Sequence, residues 1–166
     1  MTGGSSDRKT ETAQRRVALY ARVSGDDQAE RGTIGAQTDF LTRYCDLHDL
    51  DVAGVYADDG VSGTLMLDAR PEGRRLLADA AVGRFAVVLV YRLDRLGRSL
   101  RALLDAHERL DALGIPIRSG TEPFDTTTSI GQFLFSLLGS MAELERATIV
   151  ERMVRGRDRV ARDASG

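Results

Sequence analysis

Four short apolar runs alternate along the chain with segments of helical periodicity. The runs are rich in β-branched residues and occupy positions 17–23, 52–57, 86–91 and 115–119. Runs of this length predict buried strands, and the continuous apolar run AVVLVY is typical of a central parallel strand. Between them, helical spacing predicts helices from Thr33 onward, over 71–82 and over 99–113. The alternation predicts an α/β fold with an open, mostly parallel sheet flanked by helices.

Local signals indicate where the helices begin and end. Thr33 is a suitable N-cap, Pro71 stands where a first helical turn tolerates proline, and Gly114 is a typical C-terminal stop. Residues 58–70 (DDGVSGTLMLDAR) carry two glycines and no regular period, so they are predicted to form a loop. The single cysteine, Cys45, lies in a helical pattern, and we expect a buried structural thiol.

The last segment predicts one long helix. Residues 129–163 contain no proline and keep a helical pattern, which corresponds to a length of about 50 Å. A compact domain of this size has a radius of gyration of about 15 Å, so the helix is expected to project beyond it. In 130–144 the apolar residues surround the helix axis and Glu143 is the only charge. We therefore expect part of this surface to pack against another chain, with Phe133, Leu137 and Met141 among the contacts.

These patterns divide the chain into three parts. We expect a disordered tail over residues 1–14, an α/β domain over 15–128, and a helix over 129–163 that contributes to oligomerisation. No apolar run approaches the roughly 20 residues of a membrane span. A soluble cytoplasmic protein is the expected class.

Charge is distributed unevenly between these parts. Of 23 basic residues, Lys9 is the only lysine, which excludes a Walker-type phosphate loop and a buried Schiff-base lysine. The net charge is −2, which is the sum of −4 over residues 1–144 and +2 over residues 145–163. A solvated helix with compensating ion pairs is the simpler explanation for such a charge run. Its combination with an apolar first half favours dimerisation and contact with phosphate, through Arg152, Arg155, Arg157 and Arg159.

Candidate chemistry lies at the predicted carboxyl ends of the strands, where open α/β sheets place their sites. One strand ends in Arg22 and Ser24, a second leads towards Arg70, and a third ends in RLDRLGR, residues 92–98. Arginine remains protonated, but its planar fork matches phosphate oxygens. Arginines around one serine therefore suit metal-free attack on a phosphodiester. By itself, RLDRLGR is equally compatible with a solvated surface loop.

Two other site types fit the sequence poorly. His48 and His107 fall near apolar positions of separate helical patterns, so packing is the simpler role for both. A Ser-His-Asp triad and a metal site are therefore not expected, and no cofactor is predicted.

Several motifs then occur in a recognisable order. They are YARVS at 20–24, TIGAQ ending at Gln37, DGVSG at 59–63, Arg70-Pro71, YRLDRLGRS at 91–99, FDTTTSIGQ at 124–132 and ELER at 143–146. Together they resemble the serine recombinases, the resolvase, invertase and integrase family, over about residues 16–157. The spacing from Ser24 to Gln37 is most similar to that of the large serine integrases.

The resemblance implies a set of site residues. Ser24 is then the nucleophile that cleaves DNA and forms a 5′-phosphoserine link, and Gln37 assists in positioning. Asp94 is the candidate for proton transfer with the 3′-hydroxyl. Arg22, Arg70, Arg95 and Arg98 surround the scissile phosphate. Glu145 and Arg146 correspond to positions tied to active-site assembly and subunit contacts.

The resemblance also implies partners. Members of this family bind double-stranded attachment or resolution sites as homodimers and form homotetramers in the synapse, using neither metal nor ATP. They carry a DNA-binding domain after the long helix, so a catalytic domain without its DNA-binding domain is expected here. Gly25 stands where the family usually has a bulkier residue, which weakens the expectation of a preformed site.

Two other function classes stay open at this point. One is a non-catalytic dimerisation module whose long helix sets the spacing of an attached DNA-binding domain. The other is a small phosphoryl-binding or nucleotide-binding α/β enzyme, against which the missing phosphate loop and the long helix both count.

Overall fold

The computed structural model describes residues 16–25 and 33–163. Beyond Val150, Met153 is the only residue whose side chain is described. The predicted tail over 1–14 lies outside the described residues. The strands are β1 (Arg16–Val23), β2 (Asp51–Asp59), β3 (Val87–Val90) and β4 (Ile117–Ser119). The helices are α1 (Ile34–Leu47), α2 (Pro71–Ala81), α3 (Leu93–Leu96), α4 (Leu100–Asp111) and α5 (Ser129–Asp163), with a 3₁₀ turn at Leu67–Ala69.

The four strands form one parallel sheet in the order β2-β1-β3-β4. Strand β1 is central, and its Tyr20 lies opposite Tyr56 of β2 on one side and Val90 of β3 on the other. The predicted α/β fold with an open parallel sheet is therefore confirmed. Because all strands run the same way, their carboxyl ends meet at one edge, and this edge carries Ser24.

Helices cover both faces of the sheet. On one face α2, α4 and the start of α5 pack on Tyr20, Val88 and Val90. On the other face α1 packs on the sheet through Leu41 and Cys45. Cys45 is buried, as predicted, and burial raises the pKa of its thiol to about 11.

The predicted helix ends agree with the structure to within a few residues. The Thr33 hydroxyl accepts from the Ala36 amide at 3.2 Å, and Ser99 caps α4 in the same way. Gly114 has a φ of 70°, the left-handed conformation that favours glycine after a helix.

The loop prediction for residues 58–70 was wrong in part, and the alternative of a solvated surface loop for RLDRLGR is excluded. In the 58–70 segment β2 extends to Asp59, and Leu67 is buried in a 3₁₀ turn that packs on the core. The RLDRLGR segment contains helix α3, whose Arg95 and Leu96 are buried, so it is not a solvated surface loop. Neither segment shows a periodic signal, because the ordered elements within them are shorter than the windows in which periodicity can be detected.

Apolar side chains surround the first half of α5, as predicted. Phe135 is 3% exposed and its ring lies 5.0 Å from that of Phe124 in the domain core. The opposite face carries Ile130, Phe133, Leu137, Met141 and Leu144, which are 46–72% exposed. From residue 143 to 150 every side chain is exposed, so this part of the helix projects beyond the domain. Over residues 16–25 and 33–163, no helix has the length and apolar composition of a membrane span.

We expect His107, which packs against α5, to make the stability of the fold depend on pH. Its ring stacks on Phe135 at 4.0 Å, and burial lowers its pKa although Asp111 and Glu108 oppose the shift. The unfolded chain therefore binds this proton more readily than the native one, and the free energy of unfolding should fall as pH drops below about 6.5. Urea denaturation at pH 7.5 and 5.5 measures this loss.

His107→Phe should keep the ring stacking and reduce the loss between the two pH values. His48→Gln, at the end of α1, serves as the control and should keep the wild-type loss. An equal pH dependence in the wild type and His107→Phe would show that His107 does not cause it.

Candidate active site

Ser24 is the first residue after β1. Its side chain is 7% exposed, and its hydroxyl has no hydrogen-bond partner among residues 16–25 and 33–163. Buried hydroxyls are usually paired, so an unpaired one requires an explanation. Gly25, which follows, is exposed, and a Cβ atom at that position would have no atom of the described residues within 4 Å.

Gln37 and Arg95 hold the end of β1 next to Ser24. The Gln37 amide donates to the Arg22 carbonyl at 3.1 Å, and the Arg22 amide donates to Gln37 Oε1 at 3.4 Å. Arg95 Nη1 donates to the same carbonyl at 3.3 Å. Strand β3 pairs with β1 only as far as Tyr20, so these side chains take the place of a neighbouring strand. Gln37 is 1% exposed, and its position agrees with a positioning role.

The Arg22 guanidinium is fully buried beside α3. It donates to the carbonyls of Val61 at 2.9 Å, Asp94 at 3.2 Å and Arg95 at 3.1 Å. A Cβ atom at Gly63 would lie 2.6 Å from Arg22 Nη2, so only glycine leaves space for the guanidinium. Arg22 thereby joins β1, the 58–70 segment and α3.

Arg70 is also fully buried and has four oxygen partners. It donates to Leu65 O at 2.7 and 3.1 Å, to Leu96 O at 2.6 Å, to Gly63 O at 3.3 Å and to the Tyr20 hydroxyl at 3.0 Å. Arg22, Arg70 and Arg95 are 0–1% exposed, and we call them the arginine cluster. In this conformation all three donate hydrogen bonds to backbone carbonyls.

Tyr20 and Asp58 connect the arginine cluster to α2. The Tyr20 hydroxyl donates to Asp58 Oδ2 at 2.8 Å, and the same carboxylate accepts from the amides of Glu72 and Gly73 at the start of α2. Burial raises the pKa of Tyr20 above its ordinary value despite the nearby Arg70, so the phenol keeps its proton. This role of Tyr20 and Asp58 is not evident from the sequence. Nothing local signals a contact between residues 38 positions apart.

Asp94, Arg95 and Arg98 lie on or next to α3. Arg95 Nη2 contacts Asp94 Oδ2 at 3.3 Å, and Arg92 lies 3.7 Å from the other carboxylate oxygen of Asp94. The Arg98 amide donates to Gly63 O at 2.9 Å, while its side chain is exposed. Arg98 therefore borders the arginine cluster on its solvent side.

The structure brings most of the predicted site residues to one edge of the sheet. Ser24, Arg22, Gln37, Arg70, Asp94, Arg95 and Arg98 all lie there. Glu145 and Arg146 are exposed on α5 and lie outside this group. The side chains of Arg152, Arg155, Arg157 and Arg159 lie outside the described residues. Within the part of the chain that is described, no group of three or more His, Cys, Asp or Glu side chains is arranged to hold a metal.

The electrostatics of this edge favour an anion. Three buried guanidinium groups lie at the edge that carries Ser24, and Arg98 adds an exposed one. Positive charge lowers the free energy of a serine alkoxide and of phosphate oxygens in its neighbourhood. The site is therefore suited chemically to a serine that attacks a phosphoester.

Comparisons with known proteins agree with this geometry. A sequence profile described as Resolvase, N terminal domain matches residues 17–165. The chain is 41% identical over 143 residues to the probable DNA-invertase y4cG of Sinorhizobium fredii, covering 86% of this chain and 42% of that protein. It is 35% identical to the Tn917 resolvase of Enterococcus faecalis, covering 80% of this chain and 64% of that protein.

A solved structure of similar fold is the N-terminal catalytic domain of TP901-1 integrase. It superposes with a TM-score of 0.72 at 34% identity, over 80% of this chain and 98% of the solved one. A resolvase family site-specific recombinase from Streptococcus pneumoniae gives a TM-score of 0.70 at 26% identity, over 89% and 98% of the two chains. The sequence match, the relatives and the fold lead to the same result: this chain belongs to the resolvase N-terminal domain family of serine recombinases.

Proposed function

We propose that this chain is the catalytic part of a site-specific DNA recombinase. Ser24 cleaves a phosphodiester through a 5′-phosphoserine intermediate, and the exchanged strands are rejoined without metal or ATP. One observation carries the proposal. A buried hydroxyl with no partner among the described residues lies at the same sheet edge as three buried guanidinium groups. The names of the relatives, DNA-invertase and resolvase, support the choice of DNA as substrate.

The proposed cleavage is a balanced exchange of one ester bond for another. The Ser24 oxygen forms a bond to phosphorus while the bond from phosphorus to the 3′-oxygen breaks. The serine proton leaves to a base and the departing 3′-oxygen gains a proton, a role for which Asp94 is the candidate. Rejoining is the reverse reaction, with a 3′-hydroxyl as the attacking group, so the energy of the phosphodiester is conserved. The guanidinium groups stabilise the charge that develops on the phosphoryl oxygens.

A rearrangement must precede this reaction. Ser24 is 7% exposed, and the arginine cluster donates to backbone carbonyls. For Arg22 or Arg70 to bind phosphate, some of these donors exchange a carbonyl for a phosphate oxygen. Charge-assisted bonds between guanidinium and phosphate are stronger than those to neutral acceptors, so DNA itself favours the exchange.

Helix α5 provides the proposed contacts with other copies and with DNA. Phe133, Leu137 and Met141 form part of an exposed apolar stripe suited to a homodimer on each site and a homotetramer in the synapse. Glu145 and Arg146 follow on the projecting part of the helix. The arginines at 152, 155, 157 and 159 are proposed to contact DNA phosphates.

The first experiment tests covalent chemistry. The full chain is fused after Gly166 to a DNA-binding domain of known target, which supplies the local concentration that cleavage requires. The DNA carries two inverted copies of that target around a randomised spacer and is labelled at its 3′ ends. We expect a detergent-resistant adduct that retains the 3′ label, with mass spectrometry locating the DNA on Ser24.

Three results would overturn the proposal. One is a DNA link on another residue. Another is retention of a 5′ label instead of the 3′ label, which would place the protein on the wrong strand end. The third is the absence of any adduct although a gel shift shows that the fusion binds its target.

A further inference from the structure

Hydrogen bonds connect the loop after β4 to the end of β3 and the start of α3. We call residues 119–124 the β4 loop. The Gly120 amide donates to Val90 O at 2.8 Å, and the Thr121 hydroxyl donates to Tyr91 O at 2.7 Å. Glu122 Oε2 then accepts from the amide of Leu93 at 2.8 Å. The β4 loop thus contacts the end of β3 and the start of α3 in succession.

Glu122 supplies the N-terminal cap that α3 lacks locally. Arg92 occupies the N-cap position and makes no side-chain capping hydrogen bond. The carboxylate of Glu122, 29 residues further along the chain, accepts from the first amide of the helix instead. The Ser119 hydroxyl donates to the same carboxylate oxygen at 3.0 Å, and Arg92 lies 3.8 Å from the other one. These contacts fix the carboxylate on both sides, so its position is defined.

Helix α3 in turn supplies acceptors to the arginine cluster. The carbonyls of Asp94 and Arg95 accept from Arg22, and that of Leu96 accepts from Arg70. The helix also carries Asp94 and Arg95 themselves. A four-residue helix has little cohesion of its own, so a shift of its first turn moves all of these groups together.

We propose that Glu122 is a positioning residue for the reaction, acting through α3 on Asp94, Arg95 and the arginine cluster. This inference rests on the proposed function for its catalytic consequence. Glu122 does not contact the reacting atoms. It acts on them indirectly, because its hydrogen bond with the Leu93 amide sets the position of α3. A misplacement of catalytic groups by about 1 Å is sufficient to cost on the order of a hundredfold in rate.

Three variants of the fusion protein test this role. Glu122→Ala removes the acceptor, Glu122→Gln keeps an oxygen that can accept from Leu93, and Glu108→Ala removes an exposed acid of α4 as the control. We expect Glu122→Ala to form adduct at least about tenfold more slowly, while its binding to the target changes by less than about twofold. Glu122→Gln should stay within about threefold of the wild-type rate. Glu108→Ala should equal the wild type.

A spectroscopic measurement tests the contact without DNA. In the 166-residue chain, the Leu93 amide proton should resonate downfield, because it donates to the Glu122 carboxylate. The resonance should move upfield in Glu122→Ala, and it should change less in Glu122→Gln, which keeps an oxygen acceptor.

The outcomes separate the two proposals. No adduct from the wild-type fusion counts against the proposed function, and the Leu93 resonance then decides whether Glu122 holds α3. Wild-type adduct rates in Glu122→Ala would overturn the positioning role. A Leu93 resonance that is unchanged in Glu122→Ala would overturn it as well.

Discussion

Replacing Ser24 by alanine is expected to abolish the covalent adduct, with a loss of about a thousandfold or more. No other group forms the proposed ester bond, and removal of a nucleophile typically costs this much or more. The fold should be preserved, because the hydroxyl makes no hydrogen bond within the described residues. We expect the free energy of unfolding to change by less than about 1 kcal/mol. Gel electrophoresis under denaturing conditions measures the adduct, and urea denaturation measures stability.

Thr42→Ala provides a matched loss of a hydroxyl. Thr42 is exposed on α1, where its hydroxyl donates to the Thr38 carbonyl, and the variant should form adduct at the wild-type rate. An adduct that persists in Ser24→Ala would show that a different residue attacks the DNA. Loss of the adduct in both variants would show that the assay reports general damage to the protein.

Replacing Arg70 by alanine is expected to cost about 3–5 kcal/mol of folding free energy, from unpaired buried oxygens and a cavity together. The guanidinium is completely buried and donates to three backbone carbonyls and to the Tyr20 hydroxyl. The alanine variant leaves these oxygens without their donor and leaves a cavity where the side chain packed. Arg70→Lys should recover only part of the loss, because an ammonium lacks the planar fork that reaches oxygens on two sides. Urea denaturation at neutral pH measures all of these changes.

Arg74→Ala, in the first turn of the helix that follows Arg70, is the matched control. Arg74 is exposed and donates to Asp68 O at 3.3 Å, so its removal should change stability by less than about 0.5 kcal/mol. A cost below about 1 kcal/mol for Arg70→Ala would mean that Arg70 does not stabilise the fold. The buried guanidinium of Arg70 would then contribute only to the reaction.

The features of the fold that could be predicted are determined by residues that lie close together in the sequence. Thr33 caps α1 through the amide three residues later, and Gly114 adopts the left-handed conformation three residues after the end of α4. The β-branched run at β3 is buried on both faces. In each case the residue type and its immediate neighbours determine the local conformation.

The parts of the site that were not predictable depend on distant pairs. Asp58 meets Tyr20 across the sheet, and Glu122 meets Leu93 across 29 residues. Neither pairing leaves a period or a motif in the sequence. The arginines could be recognised in the sequence as a group, but their carbonyl partners could not. Every residue has a backbone carbonyl, and the fold determines which carbonyls lie within hydrogen-bond distance of a guanidinium group. Sequence therefore identified the candidate chemistry, and the folded structure identified the residues that hold it in place.

The central position of β1 has a consequence for how the chain folds. Val17 pairs with Val52 on one side and with Val87 on the other, so β1 is synthesised before both of its partner strands. Parallel pairing over such separations is slow, because loop closure must precede the contacts that stabilise it. Until then an apolar strand has both edges open, which favours association between chains. Refolding yield should accordingly fall steeply with protein concentration, even under conditions in which the native state is stable.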